Sequence, residues 1–378
     1  MQNGKIGVGI IGLSATGRWA ATAHVPALRA IPDFEIRALT ASSAASADSA
    51  ARKFDVPFFT DDPQAMAERP DVDLVVVTVK LPQHRALVTA ALNAGKMVYC
   101  EWPLGVDLTE ARGLADMSAT AGVRSFVGLQ ARAAPAIRYV RDLIRQGYVG
   151  EVLSTSIVAS LGQPWGGDVP AASTYLLDNN NGATMLSIPF GHTVDAMCWI
   201  LGGFRELSAT LATRRRKVRV VETGEIVEMT SPDQVAVSGT LQGGAIANIH
   251  YRAGSMRGTG FLWEINGSDG DLIVEGENGH MQYGRVTLRG GRGGDKTATA
   301  LPVPDRYQHV SLPRSDLSYT VAHAYRNVLD DIRQGTREVP DFADSLALHA
   351  LVEAVQMAAR TGQRQTFQAT LQQNRTPS

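Results

Sequence analysis

The sequence predicts an α/β protein of two domains, with a doubly wound parallel sheet first and an α+β domain on a mostly antiparallel sheet second. Its 378 residues exceed one typical domain of about 150 residues. Strand and helix signals alternate over the first 125 or so residues, which is typical of parallel sheets. Strand signals dominate from about residue 150 onward, which favours an antiparallel sheet.

Composition limits the classes of function. Hydrophobic residues make up 44% of the chain and charged residues 19%, and 36 Lys and Arg against 37 Asp and Glu leave a net charge of −1. A near-neutral chain has no overall field that attracts nucleic acid or an anionic membrane, so neither is expected as a partner. Two cysteines, an N-terminus without leader features and no apolar run of bilayer length favour a cytoplasmic protein.

In the first domain, apolar runs of strand length alternate with segments of helical periodicity. The predicted strands cover residues 6–11, 34–39, 58–59, 74–79, 97–100 and 125–129. The predicted helices cover residues 18–31, 41–54, 63–68, 82–94 and 108–121. We expect one domain over residues 1–128, with its ligand at the carboxyl ends of the strands.

In the second domain, helices are fewer and alternating strands dominate. The predicted strands cover residues 152–159, 206–211, 218–221, 235–241, 245–251, 261–265 and 272–274, and the glycine-rich segment 283–296 is predicted as an exposed hairpin tip. The predicted helices cover residues 134–146, 192–201, 318–334 and 342–360. We expect this α+β domain over residues 129–371 and a polar tail over residues 372–378.

A glycine turn follows the first strand and opens the first helix. Its residues are Gly12-Leu13-Ser14-Ala15-Thr16-Gly17. A dinucleotide turn has three glycines, and here the first and third are present while Ser14 takes the middle place. The position at the first strand–helix junction favours cofactor binding by Gly12, Ser14, Ala15, Thr16 and Gly17. The alternative is a structural glycine turn without a ligand.

The second strand predicts which dinucleotide binds. It ends in Leu39-Thr40-Ala41-Ser42-Ser43, where an NAD-binding turn carries a carboxylate for the adenosine ribose. Small hydroxyl residues at Thr40, Ser42 and Ser43 tolerate a 2′-phosphate, with a counter-charge from Arg37, Arg52 or Lys53. We therefore expect NADP, with NAD as the alternative.

Further motifs extend along the chain in order. They are residues 73–78, 82–84, 94–104, 128–132, 147–151, 191–195 and 265–270, followed by the closing helix before Thr361-Gly362. The series resembles the signature of the glucose–fructose oxidoreductase and inositol dehydrogenase family (Gfo/Idh/MocA). The resemblance implies a Rossmann domain, a second domain whose open sheet makes a homodimer or homotetramer, and hydride transfer between NAD(P) and a sugar, polyol or related compound.

The resemblance also assigns residues to the cofactor and the substrate. Thr78, His84, Glu101 and Trp102 lie in the motifs around the cofactor, and Glu101 has the position near the nicotinamide ribose. His192 matches a histidine of the second domain beside the substrate carbon.

Two positions depart from the family pattern. Trp102 stands where the family has its lysine, and Ile188 stands where it has an aspartate. Neither side chain can exchange a proton with an alcohol. The Glu-Trp-Pro variant and residues 188–192 resemble the branch that contains the fungal galactose-regulon repressor, a relative that binds a dinucleotide without catalysis.

Three residues are the candidates for moving the proton. His192 could be the general acid and base, or a histidine that caps or packs at a helix start. Asp195, one helical turn on, could orient that ring or be a first-turn carboxylate. Lys80 follows a buried strand, and partial burial with a lowered pKa would let it replace the missing lysine; the alternative is a solvated loop charge.

The remaining features carry less information. Trp165 and Tyr175 lie in a glycine-containing stretch that could cover a pocket or pack as a loop. The basic run from Arg214 to Lys217 is interpreted as a solvated sheet edge, and no His or Cys cluster has metal-ligand spacing. Two hypotheses stand, an NAD(P)-dependent oxidoreductase and a dinucleotide-sensing regulator, and we favour the enzyme.

Overall fold

The computed structural model describes residues 4–254 and 256–367. The strands are β1 (Ile6–Ile11), β2 (Phe34–Thr40), β3 (Phe58–Thr60), β4 (Leu74–Val77), β5 (Met97–Glu101), β6 (Ser125–Gly128), β7 (Val152–Leu161), β8 (Phe204–Ala212), β9 (Lys217–Arg219), β10 (Ile226–Glu228), β11 (Gln234–Leu241), β12 (Ile246–Ala253), β13 (Phe261–Gly267), β14 (Gly270–Gly276), β15 (Val286–Arg292), β16 (Thr299–Ala300) and β17 (Gln365–Thr366). The α-helices are α1 (Val25–Arg29), α2 (Ala44–Phe54), α3 (Pro63–Ala67), α4 (His84–Asn93), α5 (Leu108–Ala121), α6 (Pro135–Arg145), α7 (Gly191–Leu201), α8 (Ser318–Gln334) and α9 (Phe342–Thr361).

The chain folds into two compact units. The first contains the residues up to Ala133 together with Gln308–His349, and the second contains Ala134–Tyr307 together with the residues from Ala350 on. The continuous second domain expected over residues 129–371 is thus corrected, because α8 belongs to the first unit. Val321, Tyr325 and Val328 of α8 lie in the same buried cluster as the residues of β1. The tail expected over residues 372–378 lies outside the described residues.

A six-stranded parallel sheet forms the first unit. Its strand order is β3-β2-β1-β4-β5-β6, so successive strands first extend on one side of β1 and then on the other. β1 and β4 are buried along their whole length, as expected for a parallel sheet covered on both faces. The strand order changes sides between β1 and β4, although the two strands are parallel. At such a point a crevice forms at the carboxyl ends of the strands, and ligands of these sheets bind there.

Side-chain caps explain where several helices of this unit begin. The Asp107 side chain accepts from the Glu110 amide at 2.7 Å, and Gly122 ends α5 in the left-handed conformation. Ser43 caps α2 in the same way, through the Ser46 amide at 3.3 Å. The predicted bounds of α5 and α8 are confirmed residue for residue.

Two π-helical turns interrupt the regular helices, and each adjoins a proline. Ala20–His24 precedes α1, which begins with Val25 and Pro26, and Leu186–Phe190 contains Pro189 and precedes α7. Proline has no amide hydrogen to donate, so the wider turn replaces the regular hydrogen-bond ladder. The single helix predicted over residues 18–31 is therefore shorter and irregular.

A nine-stranded sheet forms the second unit. Its strand order is β16-β15-β14-β13-β7-β12-β11-β8-β17, and neighbouring strands are antiparallel except β7 and β12. The alternating burial along β12 shows that one face of the sheet is covered and the other is exposed. The predicted fold class, a parallel doubly wound sheet with a large, mostly antiparallel second sheet, is confirmed.

One segment of this unit differs from its prediction. The hairpin tip expected over residues 283–296 contains β15, which pairs with β14 from Gly270↔Arg292 to Gly276↔Val286. Backbone hydrogen bonds of a sheet do not require side chains, so the glycines of this segment fit a strand.

Within the described residues, no helix has the length and apolar character to cross a membrane.

Candidate functional site

The carboxyl ends of β1, β2 and β4 are tied together at the crevice of the parallel sheet. The amides of Gly12 and Leu13 donate to the Thr40 carbonyl at 3.0 and 3.2 Å. The Thr78 hydroxyl and amide both donate to the Ile11 carbonyl, at 2.8 and 3.1 Å. The structure therefore brings Gly12, Thr40 and Thr78 together, as expected for a shared ligand site.

Two glycines with positive φ angles shape the turn after β1. Gly12 has a φ of +94°, and a Cβ added there would lie 2.7 Å from Val79 Cγ1. Gly17 has a φ of +103° with open space around the position of a Cβ. The hydroxyls of Ser14 and Thr16 lie 2.9 Å apart. A turn without side chains at both glycines, followed by a helix, fits close approach of a pyrophosphate.

Polar side chains and one cation surround the end of β2. Ser42 is exposed, and Ser43 uses its side chain to cap α2. Lys53 Nζ donates to the Ala15 carbonyl of the glycine turn at 2.6 Å, so one of the three expected counter-charges lies at this site.

The other two expected counter-charges are paired with carboxylates. Arg37 is 6% exposed, pairs with Glu35 at 2.8 Å and donates to the Asp71 carbonyl at 2.9 Å. Arg52 pairs with Asp48 one helical turn away, at 2.7 Å. Because the Arg37 guanidinium is buried and paired, the expectation that it could serve a 2′-phosphate is wrong, whereas the exposed Arg52 stays a candidate.

Asp61 is a residue of this site that the sequence analysis missed. β2 and β3 pair in register up to Thr40↔Thr60, so Asp61 follows at the same edge of the sheet. Its Oδ2 accepts from the Ala44 amide at 3.1 Å, at the N-terminus of α2. The parallel register was the signal, because it brings the residue after β3 beside the residue after β2.

His84 has a structural role in the turn after β4. It is 2% exposed, its Nε2 donates to the Val79 carbonyl at 3.1 Å, and its Nδ1 lies 3.3 Å from Cys100 Sγ. Burial lowers the pKa of His84 and raises that of the Cys100 thiol. The ring is therefore neutral with both nitrogens engaged, which gives no support to the expected cofactor contact of His84.

Glu101 is held at the end of β5 by buried donors. The Trp19 indole donates to Oε2 at 2.7 Å and the Gln130 amide to Oε1 at 2.5 Å. His24 Nε2 lies 3.3 Å from Oε1, and His24 Nδ1 lies 2.7 Å from the Tyr325 hydroxyl. These contacts hold the Glu101 carboxylate, which the family resemblance places near the nicotinamide ribose. No sequence motif pointed to His24, Trp19 or Tyr325.

Trp102, at the position of the family's lysine, and Lys80, the candidate to replace that lysine, have different surroundings. Trp102 is 4% exposed, and its ring packs on His349 with the ring centres 4.5 Å apart. Lys80 is exposed and precedes a 3-10 turn, Leu81–Gln83. Of the two alternatives for Lys80, its exposure agrees with the solvated loop charge and removes the reason to expect that Lys80 replaces the missing lysine.

His192 lies in α7 and is completely buried in the second unit. It is 0% exposed, and neither ring nitrogen has a hydrogen-bond partner. Burial, and secondly the neighbouring His280, hold the pKa of His192 well below its usual value. Asp195 is buried as well, so it is not a solvated carboxylate, and it does not orient the imidazole by a hydrogen bond, because neither His192 nitrogen has a hydrogen-bond partner.

Other predicted features of the second unit have local roles. Trp165 is buried with its ring 6.1 Å from that of His280, while Tyr175 lies in a 3-10 turn, Ala171–Leu177. The amides of Arg214 and Arg215 donate to the Asp233 carboxylate at 2.8 Å each. Within residues 4–254 and 256–367, no group of three His, Cys, Asp or Glu could hold a metal ion.

Comparison with known families defines the class of protein. Residues 6–129 match the model described as "Oxidoreductase family, NAD-binding Rossmann fold", and residues 135–276 match the model described as "Gal80p, C-terminal domain". The first unit thus matches the NAD-binding domain of an oxidoreductase family, and the second unit matches the C-terminal domain of Gal80p. The family fits the glycine turn described above and gives the first unit a nicotinamide dinucleotide as its cofactor.

Individual relatives include an enzyme and a regulator. Dehydrogenase aclE of Aspergillus oryzae is 28% identical over 375 residues, which cover 95% of this chain and 97% of the relative. A super-repressor mutant of Gal80p from Saccharomyces cerevisiae has a TM-score of 0.86 at 23% identity, covering 96% of this chain and 97% of the other. Levoglucosan dehydrogenase in complex with NADH and L-sorbose has a TM-score of 0.83 at 20% identity, covering 96% and 98%. The two structures share the fold with this chain.

Proposed function

We propose that this protein is an NAD(P)-dependent oxidoreductase that oxidises a hydroxyl group of a neutral sugar or polyol. The observation that carries the proposal is His192, a buried and neutral imidazole whose two nitrogens are without partners. A neutral imidazole nitrogen can accept the proton of an alcohol as the hydride leaves the carbon. The likeness to a dehydrogenase along nearly the whole chain supports the same class.

The residues of each unit have separate roles in this proposal. The turn from Gly12 to Gly17 receives the pyrophosphate on backbone groups, and Glu101, held by Trp19 and Gln130, orients the nicotinamide ribose. The bound dinucleotide supplies the hydride acceptor. His192 takes the hydroxyl proton, so that the alcohol loses a hydride and a proton and becomes a carbonyl compound.

We propose NADP as the preferred dinucleotide. The exposed Ser42 and the ammonium group of Lys53 beside the glycine turn favour a 2′-phosphate, whereas the Asp61 carboxylate opposes it. Titration of both dinucleotides by tryptophan quenching is expected to give tighter binding of NADP. Lys53→Met should weaken NADP binding more than NAD binding. Tighter binding of NAD by the wild-type protein would overturn this preference.

A regulator that binds a dinucleotide without catalysis is the second candidate. Trp102 and Ile188 replace two proton-transfer groups of the family, and the lowered pKa of His192 makes this imidazole a weak base. A weak base in a buried site suits ligand sensing as well as slow oxidation. The regulator predicts dinucleotide binding with no turnover of any alcohol.

A spectrophotometric panel separates the two candidates. The protein is incubated with NAD or NADP and with D-glucose, myo-inositol or D-sorbitol at pH 8, and absorbance at 340 nm is recorded. The enzyme predicts a rise with at least one compound, lost in His192→Ala and unchanged in His309→Gln, a substitution at an exposed histidine of the first unit. No rise with any compound would favour the regulator. Lys80→Met is expected to keep full activity, because Lys80 is exposed.

We also propose a homodimer or homotetramer formed through the exposed face of the nine-stranded sheet. Ile246, Asn248 and His250 of β12 lie on that face, and Ile246 is 50% exposed. Asn248→Glu should shift the mass measured by light scattering to that of a monomer. An unchanged mass would place the contact elsewhere. The two free cysteines are compatible with the cytoplasm as the proposed location.

A further inference from the structure

A second buried histidine of the second unit lies beside His192. His280 is 6% exposed, its ring centre is 5.9 Å from that of His192, and its Nδ1 has no hydrogen-bond partner. Together the two rings leave three buried nitrogen atoms without partners. An unsatisfied buried polar group costs stability, so such atoms are expected to bond to a ligand or to ordered water.

Hydrogen bonds of Tyr251 connect the backbone segments that carry the two histidines. The buried Tyr251 hydroxyl bonds to the Thr193 hydroxyl at 2.5 Å and to the Gly279 carbonyl at 3.0 Å. Thr193 adjoins His192 and Gly279 adjoins His280, so one phenol group connects the residues next to both rings. A Cβ at Gly279 would lie 2.9 Å from Ala159 Cβ, so the loop approaches β7 closely.

The His280 ring itself is fixed by stacking. Tyr283 lies parallel to it with the ring centres 4.4 Å apart and an angle of 23° between the planes. The His280 amide donates to Asn278 Oδ1 at 2.9 Å, which fixes the backbone of the same residue. Because backbone and ring are both held, the unpartnered Nδ1 has a defined position in the folded unit.

The chemistry of the pair selects the class of ligand. Burial lowers the pKa of His280 to about 3, and the pKa of His192 is also well below its usual value. Both rings are neutral at physiological pH, and each offers one donor and one acceptor. A hydroxyl group also donates and accepts, so it can satisfy either nitrogen, whereas a carboxylate or phosphate has only acceptors and would carry its charge into a buried site.

We propose that His280 is a ligand-positioning residue, which together with His192 forms a two-imidazole site for the hydroxyl groups of a neutral polyol. The two histidines hold different hydroxyls of one ligand, so His280 sets which hydroxyl reaches His192. The proposal rests on the proposed function for the reaction of that hydroxyl, but binding alone does not require turnover. No motif of the sequence assigns a role to His280.

Binding is tested on the full chain with NADP present, by imidazole nitrogen resonances of protein labelled with ¹⁵N-histidine. The probes are D-glucose, myo-inositol and D-sorbitol, with glucose 6-phosphate as the charged comparison. We expect at least one neutral probe to shift the resonances of both His192 and His280. Glucose 6-phosphate should bind at least about tenfold more weakly than glucose if glucose is the ligand.

Substitutions separate positioning from a structural role. His280→Leu should weaken binding of the active probe at least about tenfold, and His280→Asn, which keeps a donor and an acceptor, should recover part of it. His309→Gln is the control at an exposed histidine. If the protein turns the probe over, His280→Leu should raise KM or change which hydroxyl is oxidised, while His192→Ala should abolish kcat.

The possible failures are distinct. Failure of all neutral probes to shift the two imidazoles, or an unchanged affinity in His280→Leu, overturns the role of His280, and the nitrogens then bind water only. Equal loss in His280→Leu and His280→Asn with a lowered melting temperature points to a structural role and also overturns it. Binding at both imidazoles without a rise at 340 nm supports this site while contradicting the proposed oxidation.

Discussion

The acid sensitivity of the second unit follows from the burial of His280. In the folded unit the pKa of His280 is about 3, whereas an unfolded histidine has a pKa of about 6.5. Between these values the unfolded chain binds one more proton than the folded chain, so stability is complete above pH 6.5 and is lost as the pH falls toward 3. From pH 7.5 to pH 5 this linkage amounts to about 2 kcal/mol for His280 alone.

The effect can be measured by replacing the titrating ring. The free energy of opening of the second unit is measured by hydrogen exchange of β12 amides at increasing urea, for wild-type protein and His280→Gln, at pH 7.5 and at pH 5. The stability difference between the two proteins should change by about 2 kcal/mol in favour of the variant at the lower pH. His309→Gln should show no such change. A difference that is the same at both pH values would refute the buried, neutral state of His280.

Three substitutions in the first unit have distinct expected outcomes. Gly12→Ala should weaken dinucleotide binding at least about tenfold, because the added Cβ would lie 2.7 Å from Val79 Cγ1 at a φ of +94°. Binding is measured by calorimetry, and an unchanged affinity would contradict the role of this turn. Asp61→Asn should raise the affinity for NADP relative to NAD, because it removes the carboxylate charge at the N-terminus of α2. Both affinities are measured by fluorescence titration. An unchanged ratio of the two affinities would show that this carboxylate does not discriminate between the dinucleotides. Asp331→Ala should lower the free energy of unfolding of the first unit by about 3 kcal/mol, measured in urea. The buried carboxylate accepts from Thr336 Oγ1 and from the amides of Glu338 and Val339, at 2.6, 2.8 and 3.0 Å. A loss below about 1 kcal/mol would contradict this.

Local signals were sufficient for most of the first unit. Continuous apolar runs predicted β1 and β4, and the pair of Asp107 and Gly122 marked both ends of α5. Each of these depends on residues close together in the sequence. The glycine turn, Thr40 and Thr78 were also brought together, because the order of parallel strands determines which carboxyl ends are neighbours.

Features that depend on distant residues were missed. The return of α8 to the first unit depends on Tyr325, whose hydroxyl lies 2.7 Å from His24 Nδ1, some 300 residues away in the chain. The carboxylate of Asp61 reaches α2 only through the pairing of β3 with β2. The neighbourhood of His192 and His280 likewise depends on Tyr251, which bonds to the residue next to each of them. Sequence spacing contains none of these contacts.

Burial also reversed some expectations about charged and polar residues. A motif predicts a residue type at a position, but not whether its side chain is free for a ligand. His84 matches its motif, yet both ring nitrogens bond within the protein. For Lys80 the sequence left a partly buried and a solvated position open, and the structure has it exposed. The accessibility of a side chain depends on its packing in three dimensions.

Transfer of deuterium tests the proposed oxidation most directly. The protein is incubated with NADP and with glucose, myo-inositol or sorbitol that carries deuterium at carbon, and the dinucleotide is then analysed by mass spectrometry. The proposed enzyme predicts reduced NADP that contains one deuterium, formed by the wild-type protein and not by His192→Ala. Dinucleotide that is bound by the protein but gains no deuterium from any of the three compounds would contradict the oxidation and favour a regulator.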